Sequence, residues 1–126
     1  MKVILAIAIG GAIGAVARYQ IGQFFIRFVG GPFPYNTLFV NVLGCLLMGV
    51  FYELLTTKLN VSSEWRSFIL VGIIGAFTTF STFALEILIL IERGNLLSAS
   101  IYIFASVALS LTGLFLGLYI MKNALT

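Results

Sequence analysis

The chain has no histidine and no aspartate, and a single cysteine, Cys45. A zinc or transition-metal site therefore has almost no ligands to draw on. Ser-His-Asp and Cys-His catalysis are excluded for the same reason, and the chain reads as a non-enzyme. One cysteine allows no intrachain disulfide. Charge is equally scarce, at 9% of the 126 residues, against 61% hydrophobic. A soluble domain carries about a quarter charged residues to clothe its core. Lipid is the expected solvent here. The net charge of +3 does not point to nucleic acid, because Lys2, Arg18, Arg27, Lys58, Arg66, Arg93 and Lys122 stand singly and mostly flank apolar runs. Lysine and arginine in such places anchor helices at lipid headgroups.

A spanning helix needs about 20 mostly apolar residues. Four stretches qualify: 3–28, interrupted by Arg18; 37–55; 65–91, with Glu86 near its end; and the uncharged 96–121. Between them lie the turn Gly30-Gly31-Pro32-Phe33-Pro34, a polar loop over 56–64, and the turn Glu92-Arg93-Gly94-Asn95. The loops are too short to fold alone. The expectation is one four-helix transmembrane domain over residues 1–126, with no soluble domain and no leader to remove. Lys2, the apolar stretch and Ala15-Val16-Ala17 do imitate a signal peptide. Against that, glycines crowd the stretch and apolar residues resume after Arg18 to complete a span.

Four crossings put both termini and the middle loop on one side, with Lys2, Lys58, Arg66 and Lys122. The other side holds Arg27 and Arg93, plus Arg18 if it is counted there. So small a bias permits insertion in both orientations, and hence an antiparallel homodimer. Small residues recur at packing intervals: Gly10, Gly11 and Gly14, then Gly44 and Gly49, then Gly72 and Gly75, and last Ser106, Ser110, Gly113 and Gly117. For most of the glycines, close helix packing is the preferred reading.

Chemistry concentrates in Gly75-Ala76-Phe77-Thr78-Thr79-Phe80-Ser81-Thr82-Phe83. Crowded threonines and aromatics behind a glycine make a poor helix interior. Two readings stand side by side. In one the helix breaks mid-membrane, where protein or a wet cavity must satisfy its backbone and exposed carbonyls can hold a hard cation. In the other it is an ordinary helix whose threonine hydroxyls bond back to the preceding turn. Asn41, four residues after Thr37, is an amide inside an apolar span, and serves as helix–helix glue or as pore lining. Tyr102, Ser106 and Ser110 are spaced by four and share one face. Glue is the commoner use of such hydroxyls.

The run from Gly75 to Phe83, followed by Glu86, closely resembles the signature of the Fluc (CrcB) fluoride channels. Residues 10–19, Gly-Gly-Ala-Ile-Gly-Ala-Val-Ala-Arg-Tyr, and residues 37–44, Thr-Leu-Phe-Val-Asn-Val-Leu-Gly, look like that family's first- and second-helix motifs. Length, span number and motif order agree over the whole chain. Asn36 and Ala76 stand where the family pattern has glycine, and neither change removes a polar side chain.

The resemblance implies an all-α membrane protein whose third helix is broken mid-membrane, assembled as an antiparallel, dual-topology homodimer in the cell membrane. It implies a passive channel that exports toxic cytoplasmic fluoride through two pores. A structural sodium ion would sit at the dimer centre, on the backbone carbonyls of Gly75 and Thr78. Each pore would be lined by Asn41, Phe80 and Phe83, with Thr37 and the hydroxyls of Ser81, Thr82, Tyr102, Ser106 and Ser110 along or beside the path. Arg18 would attract anions at a vestibule, or simply snorkel to the interface. Fluoride holds its water tightly, so a pore must replace that shell with donors. Amide and hydroxyl hydrogens can do so, and phenyl rings offer positive edges.

Two other functions fit part of the pattern. A small dual-topology, proton-coupled multidrug antiporter also uses four helices, but needs an embedded carboxylate, for which Glu86 is the candidate, and an aromatic cage for cationic drugs. A membrane scaffold would use the glycine stripes to bind other helices and would carry no ions. The role of Glu86 stays open on the sequence.

Overall fold

The computed structural model describes residues 1–124, and their regular structure is entirely helical. Helix α1 spans Lys2–Phe28 and α2 spans Tyr35–Glu53, the latter continuing into a π-helical turn over Leu54–Lys58. The third span begins as α3 (Ser63–Arg66), widens into a π-helical stretch over Ser67–Ile74 and narrows again as α4 (Gly75–Phe77). Helix α5 (Ser81–Glu92) completes it, and α6 (Leu96–Ala124) runs back. All four spans are long and apolar enough to cross a membrane. The chain is thus a multi-pass membrane protein, as its composition leads one to expect.

The second span extends further than its hydropathy suggests. Thr56 and Lys58, expected in the loop over 56–64, lie within the π-helical turn. The Thr56 hydroxyl donates back to the carbonyl of Tyr52, and the Leu59 amide reaches the Leu54 carbonyl at 2.8 Å. Polar side chains that bond their own preceding turn can stay helical beyond the apolar run. At the other end, Gly30 (φ 63°) and Gly31 (φ 85°) take left-handed conformations that side chains resist, and so reverse the chain into α2.

Glycines set the packing of the bundle. Helix α1 lies against the π-helical stretch and α4. A β-carbon on Gly72 would stand 2.9 Å from the Gly10 Cα, and one on Gly14 would strike the Ile73 carbonyl. Helices α2 and α6 form the other close pair. There a β-carbon on Gly49 would strike the Leu114 carbonyl, and one on Gly117 the Leu46 carbonyl. Backbones this close gain dispersion contacts along their length and leave no room for any side chain. Gly11 is different, with nothing near its missing β-carbon.

A small core lies between α5, α6 and the turn before α2. Phe83, Leu90, Ala99 and Tyr102 are buried together, with Phe33, Leu38 and Ile87 packed on them. Most of the remaining surface is apolar, including Leu97, Phe104, Phe115 and Tyr119, as suits a lipid-facing protein.

Candidate functional site

Helical geometry stops at Phe77 and resumes at Ser81. Thr78 is extended (φ −90°, ψ 164°), so the chain between leaves the helix axis. The Thr78 hydroxyl nevertheless donates back to the Ile74 carbonyl at 3.2 Å. The hydroxyl thus bonds back to the preceding turn from a residue whose own backbone is extended.

Side chains take over the backbone groups that the missing turn releases. Asn41 Nδ2 donates to the Thr79 carbonyl at 2.9 Å, and the Thr79 amide donates to Asn41 Oδ1 at 2.8 Å. One amide thus clamps both polar groups of one peptide residue. The Thr79 hydroxyl accepts from the Thr82 amide at 3.2 Å, in the first turn of α5. In a continuous helix the Thr79 amide would close on Gly75 and the Thr82 amide on Thr78. With both amides diverted, the carbonyls of Gly75 and Thr78 are released from that ladder. Among the described residues the Gly75 carbonyl retains only a long 3.5 Å contact from the Thr78 hydroxyl. Between them, the Ala76 carbonyl accepts from Arg18 Nε at 3.2 Å.

Two cavities flank this segment, and Thr79 lines both. The larger, about 340 Å³, is walled by Asn41, Cys45, Phe80, Phe83, Ser106 and Ser110, together with other residues of α6 and the break. The other, about 310 Å³, is walled by Arg18, Asn36, Thr37, Thr79 and Thr82 along with the facing turn of α1. The two cavities divide α2 between them: Thr37 lines one, and Asn41, one turn further along the same face, lines the other. Serine hydroxyls are normally satisfied by their own helix or a neighbour. Ser106 Oγ is not: the residue is only 6% exposed and its hydroxyl has no partner among the described residues. A buried polar group left open in this way calls for an explanation, such as a guest that completes its bonding.

Beyond the larger cavity the aromatic rings form a chain. Phe80 and Phe83 meet edge-to-face at 5.4 Å, and Phe83 meets Tyr102 in the same manner at 5.0 Å. Phe80 is 77% exposed while Phe83 is buried, so the chain of rings runs from the protein surface inward. Tyr102 is fully buried and its hydroxyl donates to Glu86 Oε1 at 3.0 Å. Thr37 lies beside the same carboxylate. This gives Glu86 partners that the sequence does not reveal.

The residues singled out in the sequence are therefore distributed over several places. Asn41, Phe80, Phe83, Ser106 and Ser110 share one cavity, and Arg18, Thr37 and Thr82 share the other. Tyr102 joins Phe83 to Glu86. Ser81 is exposed, with its hydroxyl 3.4 Å from that of Thr79. Cys45, which sequence reasoning passed over, belongs with Asn41. Its position four residues further along α2 was the available signal.

Residues 5–118 match the family described as CrcB-like protein, Camphor Resistance (CrcB). A fluoride-specific ion channel of Rhizobium etli is 51% identical over 118 residues, covering 94% of each chain. One of Nitrobacter winogradskyi is 47% identical over 119 residues, again 94% of each chain. One of Rhizobium meliloti is 43% identical over 122 residues, covering 97% of this chain and 98% of its own. Matches of this extent, across all four spans and both cavities, mean that the chain belongs to the CrcB family.

Proposed function

We propose that the chain is a passive, fluoride-selective channel of the cell membrane that relieves cytoplasmic fluoride. The observation that carries this reading is the Ser106 hydroxyl, which has no partner among the described residues and faces a cavity that also holds the Asn41 amide and the Phe80–Phe83 pair. Asn41 has two amide hydrogens, and one is engaged by Thr79. The other, with Ser106 and Ser110, can replace part of the shell that fluoride gives up. The positive edges of Phe80 and Phe83 extend that replacement where no hydroxyl stands. Arg18 adds positive potential on the far side of the Asn41–Thr79 clamp. The names of the relatives agree with this chemistry.

The functional unit in this reading is an antiparallel, dual-topology homodimer with two pores, and the break at 78–80 lies mid-membrane. Support comes from the small charge bias and from the exposure of Gly75 and Phe80, which leaves both open to a second copy. The liberated carbonyls of Gly75 and Thr78 fit a sodium ion at the two-fold axis. They are hard oxygen donors without charge, two from each subunit, and the diverted amides leave them free to coordinate. A bound ion would supply structure alone. The proton-coupled multidrug antiporter has no support among the relatives named above, and the candidate for its carboxylate, Glu86 near the end of the third span, is held by Tyr102.

Reconstituted protein should release fluoride from loaded liposomes, with chloride retained. Equal chloride and fluoride release, or no release of either, would overturn the proposal.

A further inference from the structure

Cys45 sits one helical turn beyond Asn41 on α2 and lines the same cavity of about 340 Å³. It is half-buried and stands beside Ser110. A structural cysteine would be enclosed by apolar neighbours on every side. Cys45 instead faces space shared with Ser106, whose hydroxyl is more than nine-tenths buried and has no partner within the described residues. That open hydroxyl marks the space as one that receives a polar guest. The rest of the wall includes Phe80, Phe83, Val107 and Leu111. Small uncharged molecules can therefore partition into it.

We propose that Cys45 is a pore-lining thiol, and that S-thiolation by a small neutral thiosulfonate at this site closes the passage. The inference rests on the channel reading and adds to it a modification site. In the reaction the Cys45 sulfur, giving up its proton to water, attacks the sulfenyl sulfur of methyl methanethiosulfonate. The new Cys45 S–S bond forms as the reagent's S–SO₂ bond breaks, and methanesulfinate leaves with the bonding pair. The product replaces a weak S–H donor by an apolar methylthio group that donates nothing. That group projects beside Ser106 and Ser110, where fluoride most needs donors in place of water. Excess dithiothreitol reverses the reaction by thiol–disulfide exchange and releases methanethiol.

The test uses full-length protein in fluoride-loaded liposomes, assayed before and after methyl methanethiosulfonate, with intact-mass measurement of the same sample. Because Cys45 is the one cysteine in the sequence, any thiol adduct is assigned without mapping. The expected result is a single adduct, a fall in fluoride efflux of at least tenfold, and recovery with dithiothreitol. Cys45→Ser and Cys45→Ala, each compared with its own untreated flux, should be indifferent to the reagent. A complete adduct with unchanged efflux would overturn the inference while leaving the channel reading intact. Failure to form the adduct, or equal inhibition of Cys45→Ser, would overturn it too. Absence of efflux before treatment would instead refute the channel reading, and this inference with it.

Discussion

Replacing Asn41 by alanine removes two hydrogen bonds at 2.9 and 2.8 Å and leaves the carbonyl and amide of Thr79 without them. Leaving a buried polar group unpaired costs about 1–3 kcal/mol. Two such groups in a partly buried segment give a loss of roughly 2–6 kcal/mol in the stability of the break. The effect on transport comes from the same amide. If the pore loses one donor and its wall shifts, a barrier rise of about 3 kcal/mol slows passage more than a hundredfold. Asn41→Asp tests the same position through charge. Its carboxylate still accepts from the Thr79 amide, but it faces the Thr79 carbonyl with negative charge and presents that charge to an anion. A buried unpaired charge costs several kcal/mol. Fluoride efflux from liposomes should therefore fall by two or more orders of magnitude in both variants. Thermal unfolding in detergent should show a loss of stability in both variants, provided size exclusion confirms assembly. Wild-type efflux in a correctly assembled Asn41→Ala would refute the assignment of the clamp and its donor to the pathway.

Three further outcomes are expected. C-terminal reporters, one active only inside and one only outside the cell, should both signal because of the small charge bias; a single active reporter would rule out the dual-topology dimer. A heavier monovalent cation should give anomalous density on the dimer axis, and Thr78→Val should retain it because the ligands there are carbonyls; a peak indifferent to the cation supplied would count against the sodium site. Phe80→Ile and Phe83→Ile should impair efflux, since an aliphatic side chain lacks the ring's positive edge, whereas methionine, unbranched and polarizable, should be tolerated better; equal efflux in all four variants would remove the rings from the mechanism.

The apolar runs, the glycine stripes and the crowded threonines carry most of the architecture in plain view, because hydrocarbon tolerates so few alternatives. Span ends are less legible. Thr56 and Lys58 read as loop by polarity, yet a hydroxyl bonded to the preceding turn keeps them helical. The π-helical stretch over Ser67–Ile74 has no signature in composition. At the site, Asn41 was visible as an amide in an apolar span, but its partner is 38 residues away. Arg18 likewise finds Ala76 across 58 residues. Such pairings depend on how α1 and α2 cross the third span, which no local pattern encodes. Cys45 escaped notice because a cysteine in an apolar run looks like core until the cavity beside it is seen.

The third span belongs to two different packing blocks. Its first half lies on α1, joined by the close crossing of Gly10 and Gly72, while α5 lies on α6, which is itself locked to α2. Residues 78–80 are the seam between these blocks, and no helical hydrogen bond has to be broken there for one block to tilt against the other. A bilayer thicker or thinner than the protein's apolar belt would strain a continuous rod of this length, or force it to tilt as one piece. Here each block can meet the change in membrane thickness with its own tilt, and the adjustment is concentrated at Thr78, Thr79 and Phe80. Lipid acyl-chain length should therefore act on the protein at the segment that lies between its two cavities.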